Sequence, residues 1–84
     1  MSGERTAVTP DAVWPEDTDE AEAVLVDWFV TEGASVTEGE TLCTIQVEKV
    51  DIDVPAPADG TLVEIGISED QVCAPGDTLG WIEG

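Results

Sequence analysis

Apolar and polar residues alternate with a period of two along most of this chain, and turn formers interrupt the alternation every few residues. Val50-Asp51-Ile52-Asp53-Val54 is the cleanest stretch. Three β-branched residues share one face and two carboxylates the other, as expected of a half-buried strand. A longer strand is expected over residues 23–30, where Val24, Val26, Trp28 and Val30 share the parity assigned to the core, while Leu25 and Phe29 flank Asp27 on the opposite face. Residues 42–47 and 61–67 read as two more strands, the second with Val63, Ile65 and Ile67 on one face. Val36, Gln71-Val72-Cys73 and residues 79–83 supply shorter ones, with turns at Gly33, Gly39, Pro55 to Gly60 and Pro75-Gly76. Residues 1–10 have no period and read as a polar tail; Ala12-Val13-Trp14 is a short apolar stretch stopped by Pro15, and residues 16–22 form an acidic loop. No segment sustains a 3.6-residue period with caps. About eight short strands separated by turns predict an all-β sandwich or flattened barrel, as one domain over residues 11–84.

The chain also repeats itself. Gly39-Glu40-Thr41-Leu42-Cys43-Thr44-Ile45 matches Gly76-Asp77-Thr78-Leu79-Gly80-Trp81-Ile82 at an offset of 37 residues. At the same offset Leu25-Val26-Asp27 meets Leu62-Val63-Glu64, and Thr31-Glu32 meets Ser68-Glu69. Val36 pairs with Val72 if one residue of slip is allowed, restored by an extra residue at Pro75. Two similar half-domains related by a pseudo-twofold axis are expected. They meet at Val47-Glu48-Lys49-Val50, between two strands and therefore at a hairpin tip.

Composition narrows the function. The 84 residues carry 20 acidic and 2 basic side chains, for a net charge of -18. Such a surface repels nucleic-acid phosphates and anionic membranes, so neither is expected as a partner. Disorder is the other reading of high charge, but the chain is 42% hydrophobic and its apolar residues fall in strand-like runs. Adaptation to high salt is the expectation, since screening removes self-repulsion. Histidine is absent, which excludes a His-based triad or a histidine metal site. Cys43 and Cys73 have neither redox-pair nor zinc spacing. With no signal peptide and no apolar run long enough to span a bilayer, a cytoplasmic protein with reduced thiols is expected. Cys43 reads as a buried filler, Cys73 lacks a basic neighbour in sequence, and Trp28 and Trp81 are assigned to the core.

Lys49 is the only lysine, and Arg5 the only other basic residue. A surface this rich in carboxylates retains one primary amine, placed at a hairpin tip. Ion pairing with Glu48 or Asp51 is the simpler explanation, yet exposed pairs contribute less than about 1 kcal/mol and Arg would serve as well. Chemistry that needs an amine, such as amide formation with an activated acid, explains a lysine better.

The run Glu32-Gly33-x-x-Val36-x-x-Gly39-x-x-Leu42-x-x-Ile45-x-x-x-Lys49 resembles the lipoyl domains of 2-oxo acid dehydrogenase complexes, members of the biotinyl/lipoyl attachment family. So do Val54-Pro55-Ala56-Pro57-x-x-Gly60, Val72 followed by Gly76-Asp77-x-Leu79, and Val26-Asp27-Trp28-Phe29-Val30, which is similar to the family's second strand. Trp14-Pro15 falls where the family has its first strand and proline. The resemblance spans residues 12–83. It implies a flattened barrel or sandwich of two four-stranded antiparallel sheets with pseudo-twofold symmetry and the attachment lysine at a hairpin tip. It implies lipoic acid in amide linkage to Lys49, flanked by Glu48 and Val50, where the family commonly has Asp-Lys-Ala. Gly33, Gln46 (where the family often has an acid) and Asp51 are the implied residues for ligase or partner recognition. Docking is expected to use Glu48, Asp51 and the loop around residues 31–35. The implied partners are a lipoate ligase or lipoyl transferase, a thiamine-dependent 2-oxo acid decarboxylase, a dihydrolipoyl acyltransferase and dihydrolipoyl dehydrogenase. The domain would carry acyl groups and reducing equivalents between them while catalysing nothing itself.

Rival readings remain open at this level. Biotin carboxyl carrier domains share the fold and the lysine, but flank it with methionines, and here the sole methionine is Met1. An unmodified lipoyl-like interaction module would not need Lys49. Asp51 and Asp53 could suggest acid–base work, and the cluster Glu16, Asp17, Asp19, Glu20 and Glu22 could suggest calcium, but it lacks EF-hand spacing. A solvated strand face and a solvated loop account for them, so no catalytic or metal residue is expected.

Overall fold

The computed structural model describes residues 4–84. Its elements in chain order are β1 (Arg5–Val8), a 3-10 turn (Asp11–Val13), β2 (Ala23–Trp28), β3 (Ser35–Val36), β4 (Thr41–Val47), β5 (Val50–Pro55), β6 (Gly60–Ile65), β7 (Val72–Cys73) and β8 (Gly80–Glu83). All pairings are antiparallel, in two four-stranded sheets of order β1-β8-β6-β3 and β5-β4-β2-β7. Neither sheet closes on itself, so of the two expected shapes the molecule takes the sandwich. The inner faces supply Leu25, Leu42, Ile45, Leu62, Leu79 and Ile82, each no more than 1% exposed.

The pseudo-twofold axis holds down to individual bonds. In β2–β4, Leu25 faces Ile45, Asp27 faces Thr44 and Trp28 faces Cys43, with a bulge at Val26. In β6–β8, Leu62 faces Ile82, Glu64 faces Trp81 and Ile65 faces Gly80, with a bulge at Val63. Every pair is displaced by the same 37 residues. The acid after each repeated glycine has a physical reason. Glu40 Oε1 accepts the Thr37 N–H at 2.9 Å, and Asp77 Oδ2 accepts the Ala74 N–H at 2.9 Å. Each carboxylate satisfies a turn donor that no strand reaches. Glu32 and Glu69 repeat for a related reason. Glu32 Oε2 accepts from Ile65 N at 2.8 Å and Glu69 Oε2 accepts from Trp28 N at 3.3 Å, so each half serves the other across the axis.

Several expectations are corrected. The strand face assigned to β2 is inverted at its start. Ala23 and Leu25 are buried, while Val24 and Val26 are 40% and 43% exposed; the bulge at Val26 then restores Trp28 to the inner face. A bulge inserts one residue, so a period-2 count across it changes parity. The same error affects β6, where Leu62 rather than Val63 is the fully buried residue. Residues 5–8 are not tail but strand β1, paired with β8. They fill the place of β5 in the other half: Arg5 faces Glu83 as Asp51 faces Gln46, and Val8 and Val54 are both 1% exposed. Trp14-Pro15, which the resemblance set at the first strand, lies in no strand and follows the 3-10 turn of Asp11–Val13. Residues 1–3 of the expected tail lie outside the described residues. Val36 corresponds to Cys73 with no slip, since Ser35–Val36 pairs with Thr61 and Gly60 just as Val72–Cys73 pairs with Val24 and Ala23. Trp28 packs against the core and donates its indole N–H to Ile67 O at 2.8 Å, whereas Trp81 is half-buried and lies outside the core cluster.

Candidate functional site

The β4–β5 hairpin leaves the sandwich at Val47 and returns at Val50, which face each other in the ladder. Two residues, Glu48 and Lys49, make the turn. Glu48 has φ 58 and Lys49 is not among the positive-φ residues. A positive φ at the first loop position is what a two-residue hairpin whose twist matches its strands requires. Along the inward parity of β5 the exposure rises from 1% at Val54 to 55% at Val50. The hairpin therefore projects beyond the core, with Glu48, Lys49 and Val50 all exposed.

Lys49 is displayed rather than tied down. Among the described residues the ion pairs are those of Arg5, with Glu83 at 3.5 Å and Glu64 at 3.9 Å, and neither Glu48 nor Asp51 pairs with Lys49. Below the tip Gln46 Nε2 donates to Asp51 Oδ1 at 3.2 Å, and Thr44 Oγ1 donates to Asp53 Oδ1 at 3.2 Å. Gln46 faces Asp51 directly, so an acid at position 46 would set two carboxylates opposite each other, while the amide donates. The residues present thus fit an amide-linked prosthetic group: a primary amine at a projecting turn, with no partner to displace.

The structure brings Glu48, Lys49, Val50, Gln46 and Asp51 together at one end of the molecule. It does not bring Gly33 there. The tip lies beyond the Gln46 end of β4, and the 29–34 segment leaves β2 beyond Trp28, which faces Cys43. Gly33 N–H donates to Leu62 O and Leu62 N–H to Ala34 O, on the other sheet. The expectation that residues 31–35 flank Lys49 is corrected. Gly33 has a conformational reason to be glycine, φ 95, and its counterpart Asp70 is also left-handed at φ 71.

The segment that does stand beside the tip is the acidic loop before β2. Glu20, Glu22 and Glu48 border one cavity. Trp14 organises this loop by donating its indole N–H to Glu20 O at 3.1 Å, and Glu20 N–H donates to Thr18 Oγ1 at 3.1 Å. Its position was not legible because five residues of turn and coil separate Trp14 from its partner. Among the described residues no three His, Cys, Asp or Glu side chains converge as a metal set. Both cysteines are free and buried, and burial pushes the Cys43 thiol up to about 12.

A two-sheet pseudo-twofold sandwich that displays a single lysine on its central hairpin defines a carrier-type β module. Residues 16–82 match the biotin/lipoyl family, whose description is Biotin-requiring enzyme. The chain belongs to that family. It is 36% identical over 58 residues to a dihydrolipoyllysine-residue acetyltransferase component of pyruvate dehydrogenase complex from Acholeplasma laidlawii, covering 69% of this chain and 11% of the relative. The corresponding component from Staphylococcus aureus is 33% identical over 58 residues, again 69% of this chain and 14% of the relative. The chain thus spans a small fraction of the length of the curated relatives it matches. The solution structure of the lipoyl domain of the 2-oxoglutarate dehydrogenase complex from Azotobacter vinelandii superposes with a TM-score of 0.65 at 29% identity, covering 86% of this chain and 87% of that one. A single-chain, multi-domain long-chain acyl-CoA carboxylase shares the fold, with a TM-score of 0.74 at 20% identity over 94% of this chain and 7% of that one.

Proposed function

We propose that this chain is a lipoyl carrier domain of a 2-oxo acid dehydrogenase-type complex, with lipoic acid in amide linkage to Lys49 Nζ. The observation that carries the reading is the display of the sole lysine on the β4–β5 turn, unpaired among the described residues. Kinship with lipoyl domains supports lipoate over biotin, and so do the flanks Glu48 and Val50, where a biotinyl tip has methionines. Bound lipoate supplies a dithiolane that carries acyl groups and electrons. The protein's own residues hold and present the amine: the two-residue turn closed by Val47 and Val50 sets where Nζ emerges, and the Gln46–Asp51 bond stiffens the stem. The domain itself is non-catalytic. Its partners are the lipoate ligase or lipoyl transferase that loads it, the thiamine-dependent decarboxylase, the dihydrolipoyl acyltransferase and dihydrolipoyl dehydrogenase. Glu48 and Asp51 are the docking residues nearest the attachment point. The net charge of -18 we read as adaptation to high salt, which a rise in unfolding midpoint with salt concentration checks.

Intact mass after expression with both lipoate and biotin tests the attachment, with Lys49→Arg as control. A lipoyl increment that vanishes in Lys49→Arg is expected. A biotinyl increment would move the chain to the carboxylase branch of the family. No increment with a ligase from the source organism would leave an interaction module that keeps the fold alone.

A further inference from the structure

The two halves differ in chemistry on their outer faces beside the hairpin. Val24 on β2 faces Val72 on β7, and the two are 40% and 55% exposed. At the equivalent place in the other sheet, Thr61 faces Ser35. The ladder therefore does not require apolar side chains there, and a polar pair serves in the half that lacks the lysine. Val24 and Val72, with Ala23, floor a shallow cavity of about 230 Å³ edged by Glu20, Glu22 and Glu48. Glu48 is the immediate neighbour of Lys49. Gln46, which faces Val24, completes the lining with its amide already bonded to Asp51 Oδ1, and the carboxylates on the edge turn away anionic ligands.

What this cavity suits is a neutral, apolar chain that starts at position 49. We propose that it is a resting site for the aliphatic part of the lipoyl arm, an inference that rests on the attachment at Lys49. Amide formation removes the ammonium charge, so the loaded arm has no electrostatic reason to stay among the acids, and apolar contact with Val24 and Val72 decides where it lies. The floor is too shallow to hold a free ligand of this kind. A tethered one is present at an effective concentration in the millimolar range, which compensates for weak contact. Docked, the arm would be partly withdrawn from solvent between visits to partner sites.

Chemical loading tests the site without a ligase. Because Lys49 is the sole lysine, a succinimidyl ester of lipoic acid acylates only its Nζ and the α-amino group, and Lys49→Arg treated identically carries the latter alone. Methyl NMR on valine-labelled protein is expected to show the Val24 and Val72 resonances moving on loading in the wild type and staying fixed in Lys49→Arg. Phosphine reduction of the dithiolane is expected to be about fivefold slower in the loaded wild type than in the loaded Val24→Thr/Val72→Thr variant, a difference of the size that partial burial of two valines supports. Both substitutions are at exposed strand positions and preserve β-branching. Shifts confined to residues 48–50, or equal reduction rates, would overturn the proposal. Failure of enzymatic attachment would show in the mass measurement instead, so the two readings fail separately.

Discussion

The half that bears β2–β4 and the half that bears β6–β8 share register, bulges and turn bonds, yet they solve the same packing problem with different residues. In the first, Trp28 faces Cys43; in the second, Ile65 faces Gly80. The swap is compensatory. A Cβ on Gly80 would lie 2.8 Å from Glu64 O and 3.3 Å from Trp28 Cη2, because the indole of one half reaches over the strand of the other. A twofold scaffold can thus hold its backbone symmetry while its core volumes are traded across the axis. Outside the core the same freedom gives one half the apolar Val24–Val72 pair and the lysine tip, and gives the other Thr61, Ser35 and no hairpin.

Substitutions at equivalent positions can break or sharpen this comparison. The largest effect is expected from Leu25→Ala and Leu62→Ala, each fully buried beside a bulge. Each should cost about 2–5 kcal/mol in denaturant unfolding, and near-equality of the two would show the halves to be energetically as well as geometrically matched. Gly80→Cys should cost about 1–3 kcal/mol because its Cβ would meet Glu64 O and the Trp28 indole, and adding Trp28→Ile should recover only the part due to the indole. Additive costs in the double variant would refute the volume trade. Gly33→Asp, which copies Asp70, should cost less than about 1 kcal/mol and leave lipoylation unchanged, whereas a β-branched residue at φ 95 should cost more. Loss of loading in a folded Gly33→Asp protein would restore a recognition role to this glycine. Arg5→Gln, at the position matching Asp51, should change stability by less than about 1 kcal/mol because its two ion pairs are exposed.

The buried thiols give a pH dependence that also separates the halves, since Cys43 has glycine as its counterpart. Burial favours the neutral thiol, so its folded pKa of about 12 lies above that of the unfolded chain. The stabilisation is fully present below the unfolded value near 8.5 and is lost as pH rises from there toward the folded value. A folded protein at pH 8 should therefore react slowly with thiol reagents at Cys43, and a fast reaction there would show that β4 opens.

How much of this was legible in the sequence differs by element. β4 and β5 were readable because they contain one bulge near the far end and an unbroken alternation toward the tip. β2 and β6 were readable as strands but not in facing, because a bulge is invisible to a parity count. β1 was missed because only Val8 of its four residues is buried, and its edge position asks little of the other side chains.

Covalent order and residue type alone determined seven of the eight strands, the duplication, the acid after each repeated glycine and the placing of the sole lysine between two strands. These are local or periodic properties, and strand propensity, turn chemistry and self-similarity record them directly. Tertiary structure decided which face of β2 is inside, that residues 5–8 complete a sheet, that Gly33 stands at the opposite end from Lys49, and that an acidic loop and two exposed valines flank the tip. Those facts depend on which strands pair and where a bulge shifts the register, and such contacts join residues dozens of positions apart.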